Sequence, residues 1–256
     1  MIYTAPGLST RAWENLLYRL LTLLIVSCSS LANAEELRWG FASADGMPYV
    51  DVREQQLHGG FIYELGQRVS QQLGYQAAFI ETPNKRIDEF MQRGRIHVIC
   101  NSNPQWLENP ERYHWSAPLY SEADVLLVHR EQAPINSLQD LYDKNLGTQL
   151  GYVYNHALMN AFATHKINRK NLRDHVAGLN LLRKQRLDAV IDMQRTLRYQ
   201  MNHQANAPLR INSWVIERYD MHCTYSPRLP LSAERLDQAL LQLRDQGMIE
   251  QLLNDN

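Results

Sequence analysis

Between Leu37 and Cys100 the sequence alternates between two periodicities, and this alternation restricts the fold more than any other feature. Leu37–Phe41, Gln76–Ile80 and Ile96–Cys100 are short runs of strand length. Between the first two, Phe61, Leu65, Val69 and Leu73 recur every four residues with Ile62 beside them, and Gly74 follows as a stop. That spacing gives a helix one apolar face to lay on a sheet. Lys85–Arg93, closed by Gly94, reads as a second helix. The order β-α-β-α-β with short connections predicts a doubly wound parallel sheet rather than a bundle or a sandwich.

The chain changes character again between Pro118 and Tyr152. Val125–Val128 is an apolar strand, and Ser137-Leu-Gln-Asp140 carries the Ser-x-x-acid pattern of a helix start. Asn145–Gly151 is a second strand ending in a glycine turn. Beyond it, Asn155–Ala163 reads as a helix with an Asn cap, Gly178–Gln185 as another, Asp188–Asp192 as a strand and Thr196–Gln204 as a further helix. Arg210–Val215 is expected as a strand, followed by the segment Glu217–Tyr225. In the last helix Leu236, Ala239, Leu240 and Leu243 share one face, Ser232 can cap the start and Gly247 is expected to end it. With 256 residues, 45% of them hydrophobic, the chain suffices for one large or two small domains.

At the N-terminus Arg11 and Arg19 precede the apolar run Leu20–Val26, and Ala32-Asn33-Ala34 follows as an A-x-A site. Residues 1–34 are expected to be a signal peptide cleaved after Ala34, because the run is far shorter than the ~20 residues that span a bilayer. Ile25-Val26-Ser27-Cys28 is a loose lipobox and the alternative processing site. Cleavage after Ala34 removes Arg11, Arg19 and Glu14, leaving 222 residues and taking the net charge from −1 to −2. That balance offers nothing to nucleic acid or an anionic membrane. Export places Cys100 and Cys223 in an oxidising compartment, where two outcomes are open: a disulfide, or two separate buried thiols.

Several segments in order resemble one family. GGFIYELGQRVSQQLG, FMQRGRIHVI, NPERYHWSAPLY, the strand containing Asp188-Ala-Val and ERYDMHCTY are together similar to the bacterial periplasmic solute-binding proteins of family 3, the amino-acid type, over nearly all of Leu37–Leu253. The resemblance implies two doubly wound α/β lobes, residues 35–119 plus 220–256 and residues 120–219, joined by two crossing segments. It also implies a periplasmic monomer that captures a small polar or aromatic molecule, amino-acid-like or an organic acid, for an ABC permease or a membrane sensor, with no cofactor and no nucleic acid.

In such sheets the ligand sits beyond the carboxyl ends of the strands. That rule selects Asp45 and Tyr49 after the first strand, Arg86 after the second, and Asn101, Asn103 and Trp106 after the third. Tyr152, Tyr154, Asn155 and Asp192 follow the strands of the other lobe. Arg86 or Arg112 is expected to clamp a carboxylate. A catalytic relative, of the cyclohexadienyl dehydratase kind, would need a proton-transfer group, for which Glu108, Asp45 and His114 are the candidates. The nine histidines form no tight cluster with Cys or Asp, so no metal site is expected.

Three departures from the family pattern bear on the ligand. The register of the family's carboxylate-clamping Arg holds Trp106, Leu107 and Glu108, with Arg112 the nearest arginine. Tyr-Val-Tyr-Asn replaces the Ser/Thr of the second glycine loop. The acid that receives an ammonium group is expected at position 193, which is Met, and the acid here is Asp192. These departures count against a standard α-amino acid.

Overall fold

The computed structural model describes residues 35–203 and 208–255. The expected signal peptide and the lipobox at Cys28 lie outside the described residues. The strands are β1 (Glu36–Phe41), β2 (Asp51–Arg53), β3 (Gln56–Gly59), β4 (Gln76–Glu81), β5 (Val98–Ser102), β6 (His114–Trp115), β7 (Tyr120–His129), β8 (Asn145–Gln149), β9 (Asn168–Leu172), β10 (Ala189–Met193) and β11 (Leu209–Tyr225).

The main ladder runs β4-β1-β5-β11-β7-β10-β8-β9, with β6 beside β11 and β2–β3 a separate hairpin. β1 is parallel to both β4 and β5, and β8 is parallel to both β10 and β9. These two parallel sets are the α/β lobes. What joins them is antiparallel: β11 pairs with β7 over Leu209–Met221 and then with β5 and β6 over His222–Tyr225. The expected parallel order of the first three long strands is found in β4-β1-β5, and antiparallel strands join the two parallel sets.

Packing explains why β7 is a continuous apolar run. Val125 and Leu127 face a core with Leu182, Val190 and Leu197, while Leu126 and Val128 face another with Leu146, Leu158 and Ile191. A strand covered on both faces has no polar side. The same holds at β5, where Val98 and Cys100 pack with Trp39 and Phe61, and Ile99 packs with Phe90 and Met91. The first of these cores also takes Leu236, Leu240, Ile249 and Leu253, so the two ends of the described chain share one interior.

Several sequence expectations need correction. β11 is a single 17-residue strand, not a strand followed by a separate crossing. Register shifts between Ile211 and Val215 and between Val215 and Glu217 absorb its polar residues as bulges. Helical structure resumes after Gly247, at Met248–Asp255, because Gly247 at φ 73° turns the chain without ending the pattern of Ile249, Leu252 and Leu253. The turn after Ser137 is a single 3-10 turn, Gln139–Leu141, and its cap is reversed: Asp140 accepts from the N–H groups of Asn136 and Ser137. The helix expected from Gly178 starts at His175, where Asp174 accepts from the N–H of Ala177. The third strand lies at Val98–Ser102, two residues later than expected.

Cys100 on β5 and Cys223 on β11 form a disulfide, with Cα atoms 3.9 Å apart. This settles the choice left open by the sequence. In the chain-entropy view, a link across a separation of 123 residues removes much of the unfolded chain's freedom. Replacing both cysteines by serine is expected to lower the unfolding free energy by about 4 to 5 kcal/mol, read from urea midpoints; an unchanged midpoint would mean that the bridge constrains nothing.

Candidate functional site

Turns at the carboxyl ends of the strands converge on one cavity. After β1 the chain makes a 3-10 turn, Ser43–Asp45, and Gly46 follows at φ 62°. A side chain at Gly46 would meet the His175 ring at 2.6 Å, so only glycine lets this turn approach so closely. The turn presents the carboxylate of Asp45 inward. One of its oxygens accepts from the Tyr152 hydroxyl at 2.5 Å and the other from the Asn101 amide at 3.0 Å. Asn101 sits on β5 with φ 55°, a left-handed conformation in which Asn is the commonest non-glycine residue. Its own side-chain oxygen accepts from Tyr120 at 2.8 Å.

A second carboxylate reaches the cavity from β7. Asp124 accepts at one oxygen from the hydroxyl of Tyr219, 2.7 Å away on β11, and Trp106 meets the Tyr219 ring edge to face at 5.2 Å. Tyr152 and Tyr154 line the cavity from the loop after β8, with Phe41, Ile62 and Met193 adding apolar surface. Among the described residues, no lining side chain is basic.

Both carboxylates are held away from their ordinary behaviour. Burial pushes Asp45 up to about 6, against the opposing hydrogen bonds from Tyr152 and Asn101. Burial likewise pushes Asp124 up to about 7; the Tyr219 bond opposes this, while Asp192, Glu217 and Glu122 add to it. A third acid, Asp192, is 1% exposed and does not line the cavity. Side chains alternate along β10, so Met193 opposite Asp124 lines the cavity and Asp192 turns to the other face. There it pairs with His175 Nδ1 at 2.9 Å and accepts from Gln149 at 3.1 Å. Burial pulls His175 down, but the charge and hydrogen bond of Asp192, with a backbone bond at Ala44 and the charge of Asp45, together make the net shift upward.

Of the residues selected from sequence, Asp45, Asn101, Trp106, Tyr152 and Tyr154 are brought together around the cavity. The others stand elsewhere. Tyr49 is fully buried behind it, its hydroxyl donating to Glu122. Asn103 accepts from the N–H of Gln105 and donates to the carbonyl of Asp220, fixing a turn. Asn155 caps the helix His156–Ala163 by accepting from the N–H of Leu158.

Neither arginine expected as a carboxylate clamp lines the cavity. The exposed Arg86 pairs with Glu89 at 3.3 Å and lies over the Phe90 ring, and Arg112 is exposed on the turn Pro110–Arg112. Of the proton-transfer candidates, Asp45 lines the cavity, whereas Glu108 is exposed and the exposed His114 pairs with Asp237. Asp124 and Tyr219 were not selected. The available signal was an acid beside a doubly buried apolar run, a position that demands a partner.

A sequence model of the bacterial extracellular solute-binding proteins, family 3, matches residues 38–255. Among curated proteins none matches the sequence. The fold is similar to an ancestral arginine-binding protein bound to arginine, at 20% identity and a TM-score of 0.72, covering 87% of this chain and 98% of that one. It is also similar to an amino acid ABC transporter substrate-binding protein from Streptococcus pneumoniae bound to L-arginine, at 18% identity and a TM-score of 0.70, covering 86% and 93%. A third similar structure is the ancestral amino acid-binding protein AncCDT-1, a precursor of cyclohexadienyl dehydratase, at 18% identity and a TM-score of 0.70, covering 92% and 98%.

The raised carboxyls fix a sign for pH dependence. Folded protein holds protons on Asp45 and Asp124 that the unfolded chain releases, so their contribution to stability falls as pH rises from about 4 to about 7. His175, shifted upward, adds in the same direction above its unfolded value. Asp124→Asn is expected to gain on the wild type by on the order of a few kcal/mol between pH 4 and pH 7. Urea unfolding across that range checks it, and parallel curves for the two proteins would mean that Asp124 titrates normally.

Proposed function

The chain belongs to the bacterial extracellular solute-binding proteins, family 3, and on that premise we propose that it captures a small polar or aromatic ligand in this cavity, between the lobes 35–119 plus 220–256 and 120–219. In this reading the protein is exported to the periplasm, works as a monomer and hands its ligand to an ABC permease or a membrane sensor. The observation that carries the proposal is the hydrogen bond between Tyr152 and Asp45, residues 107 apart in sequence, across a cavity lined from both sides. Asp45, Asn101 and Trp106 come from one lobe; Asp124, Tyr152, Tyr154 and Tyr219 come from the other.

A ligand that touches both sides favours the closed arrangement by its differential affinity for that state. Held at a hundred times its dissociation constant, it stabilises the fold by ~2.7 kcal/mol if it ignores the unfolded chain. The phenol of Tyr152 contributes a charge-assisted bond to that closure, of the kind worth ~1.5 to 3 kcal/mol.

One observation favours a lyase as a second reading: Asp45 combines cavity exposure, a carboxyl raised to about 6 and a phenol within hydrogen-bond reach, which suits proton transfer near neutral pH. Unchanged ligand recovered after prolonged incubation, followed by NMR, would remove it.

Tyr152→Phe is expected to enlarge the ligand-free protein in small-angle scattering and to weaken ligand binding roughly ten- to a hundredfold. A stabilising ligand is expected to compact both forms. Equal dimensions for wild type and variant, with no compaction by ligand, would overturn capture between two lobes.

A further inference from the structure

We infer that the ligand is an organic ammonium ion, a small amine with an apolar or aromatic body and no carboxylate. The inference rests on the capture proposed above and names its chemical class. Two carboxylates, Asp45 and Asp124, reach the cavity from different elements, and no lining side chain among the described residues is basic. An anion entering here would lose its hydration and meet like charge, a penalty that proteins relieve by pairing.

The neighbouring arginines are already engaged. Arg169 donates to the Tyr152 carbonyl at 2.9 Å and to Thr148 and Asn171 at 3.1 Å. Arg195 donates to Ser121, Glu122 and Glu250. Neither is available as a carboxylate clamp without breaking those bonds.

A separate observation points to a donor on the ligand. Asp124 is 7% exposed and accepts one hydrogen bond, from Tyr219 at Oδ1; Oδ2 meets no protein donor among the described residues. An ammonium group placed against this cavity-facing carboxylate adds donors and the opposite charge, which the Tyr219 phenol does not supply. Trp106, Tyr152, Tyr154 and Tyr219 line the same cavity with aromatic surface, and aromatic ring faces attract cations. The Met193 side chain, opposite Asp124 across the β7–β10 ladder, adds apolar contact for the body.

Matched pairs differing only by the α-carboxylate test this directly: agmatine against arginine, cadaverine against lysine, tyramine against tyrosine, with 4-hydroxyphenylacetate as the acid alone. Binding to the full-length protein is measured by calorimetry and thermal shift near pH 7.5. At least one amine is expected to bind tenfold or more tightly than its amino acid, and the acid is expected not to bind. Asp124→Asn and, separately, Asp45→Asn are each expected to weaken that amine by tenfold or more, with folding checked by circular dichroism. An amino acid or the acid binding as well as the amines would overturn the ammonium class while leaving two-lobe capture standing. Failure of every probe to bind would also overturn it. An amine that stabilises without compaction in scattering would instead overturn the capture reading and keep the class.

Discussion

Every other arrangement in this protein depends on the backbone hydrogen bonds of β11. A strand this long must find partners for its N–H and C=O groups along its whole length, and no single neighbour supplies them. Over Leu209–Met221 the partner is β7, and over His222–Tyr225 it is β5 with β6. The strand thus belongs to both ladders, and the two parallel sets are placed by one continuous piece of backbone. The loops that carry Asp45, Asn101 and Trp106 on one side, and Tyr152 and Tyr154 on the other, inherit their positions from it.

A second regularity is chemical. Around the site carboxylates are met by phenols: Tyr49 donates to Glu122, Tyr152 to Asp45 and Tyr219 to Asp124, and nearer the surface Tyr113 donates to the exposed Asp88 and Tyr225 to the half-buried Asp237. A phenol satisfies one lone pair without neutralising charge, so burial still raises the carboxyls at Asp45 and Asp124. Full ion pairs stand one layer back, at Arg195 with Glu122 and at His175 with Asp192. Fixed charge compensation therefore supports the walls of the cavity, and its surface keeps an uncompensated negative character.

How much of this could be read from the chain alone depended on the range of each signal. The helix Phe61–Leu73 and its Gly74 stop, the Asn155 cap and the apolar run of β7 are written within a few residues of themselves, and each stands where its pattern put it. β11 was divided because Asn212, Ser213 and Glu217 interrupt its apolar pattern, and the pairing that holds it together comes from β7, some ninety residues earlier. β9, Asn168–Leu172, reads as polar because it is an edge strand. At the site, local turn signals led to Asp45, Asn101, Trp106, Tyr152 and Tyr154. Asp124 was hidden beside apolar neighbours and Tyr219 in a polar stretch, since each is recruited by the other across the β7–β11 ladder. Arginine as a residue type points to a carboxylate clamp, whereas position gives Arg86 the Phe90 ring to lie over and leaves Arg112 exposed.

The disulfide acquires a mechanical meaning from its place beside Asn101. It staples β11 to β5 one residue from the side chain that holds Asp45, so the end of the crossing strand nearest that carboxylate is anchored covalently. The ladder with β7 slips register from Ile211 to Glu217, away from that stapled end. One strand therefore carries a covalently fixed end beside Asn101, which holds Asp45, and an irregular, bulged end in the ladder with β7.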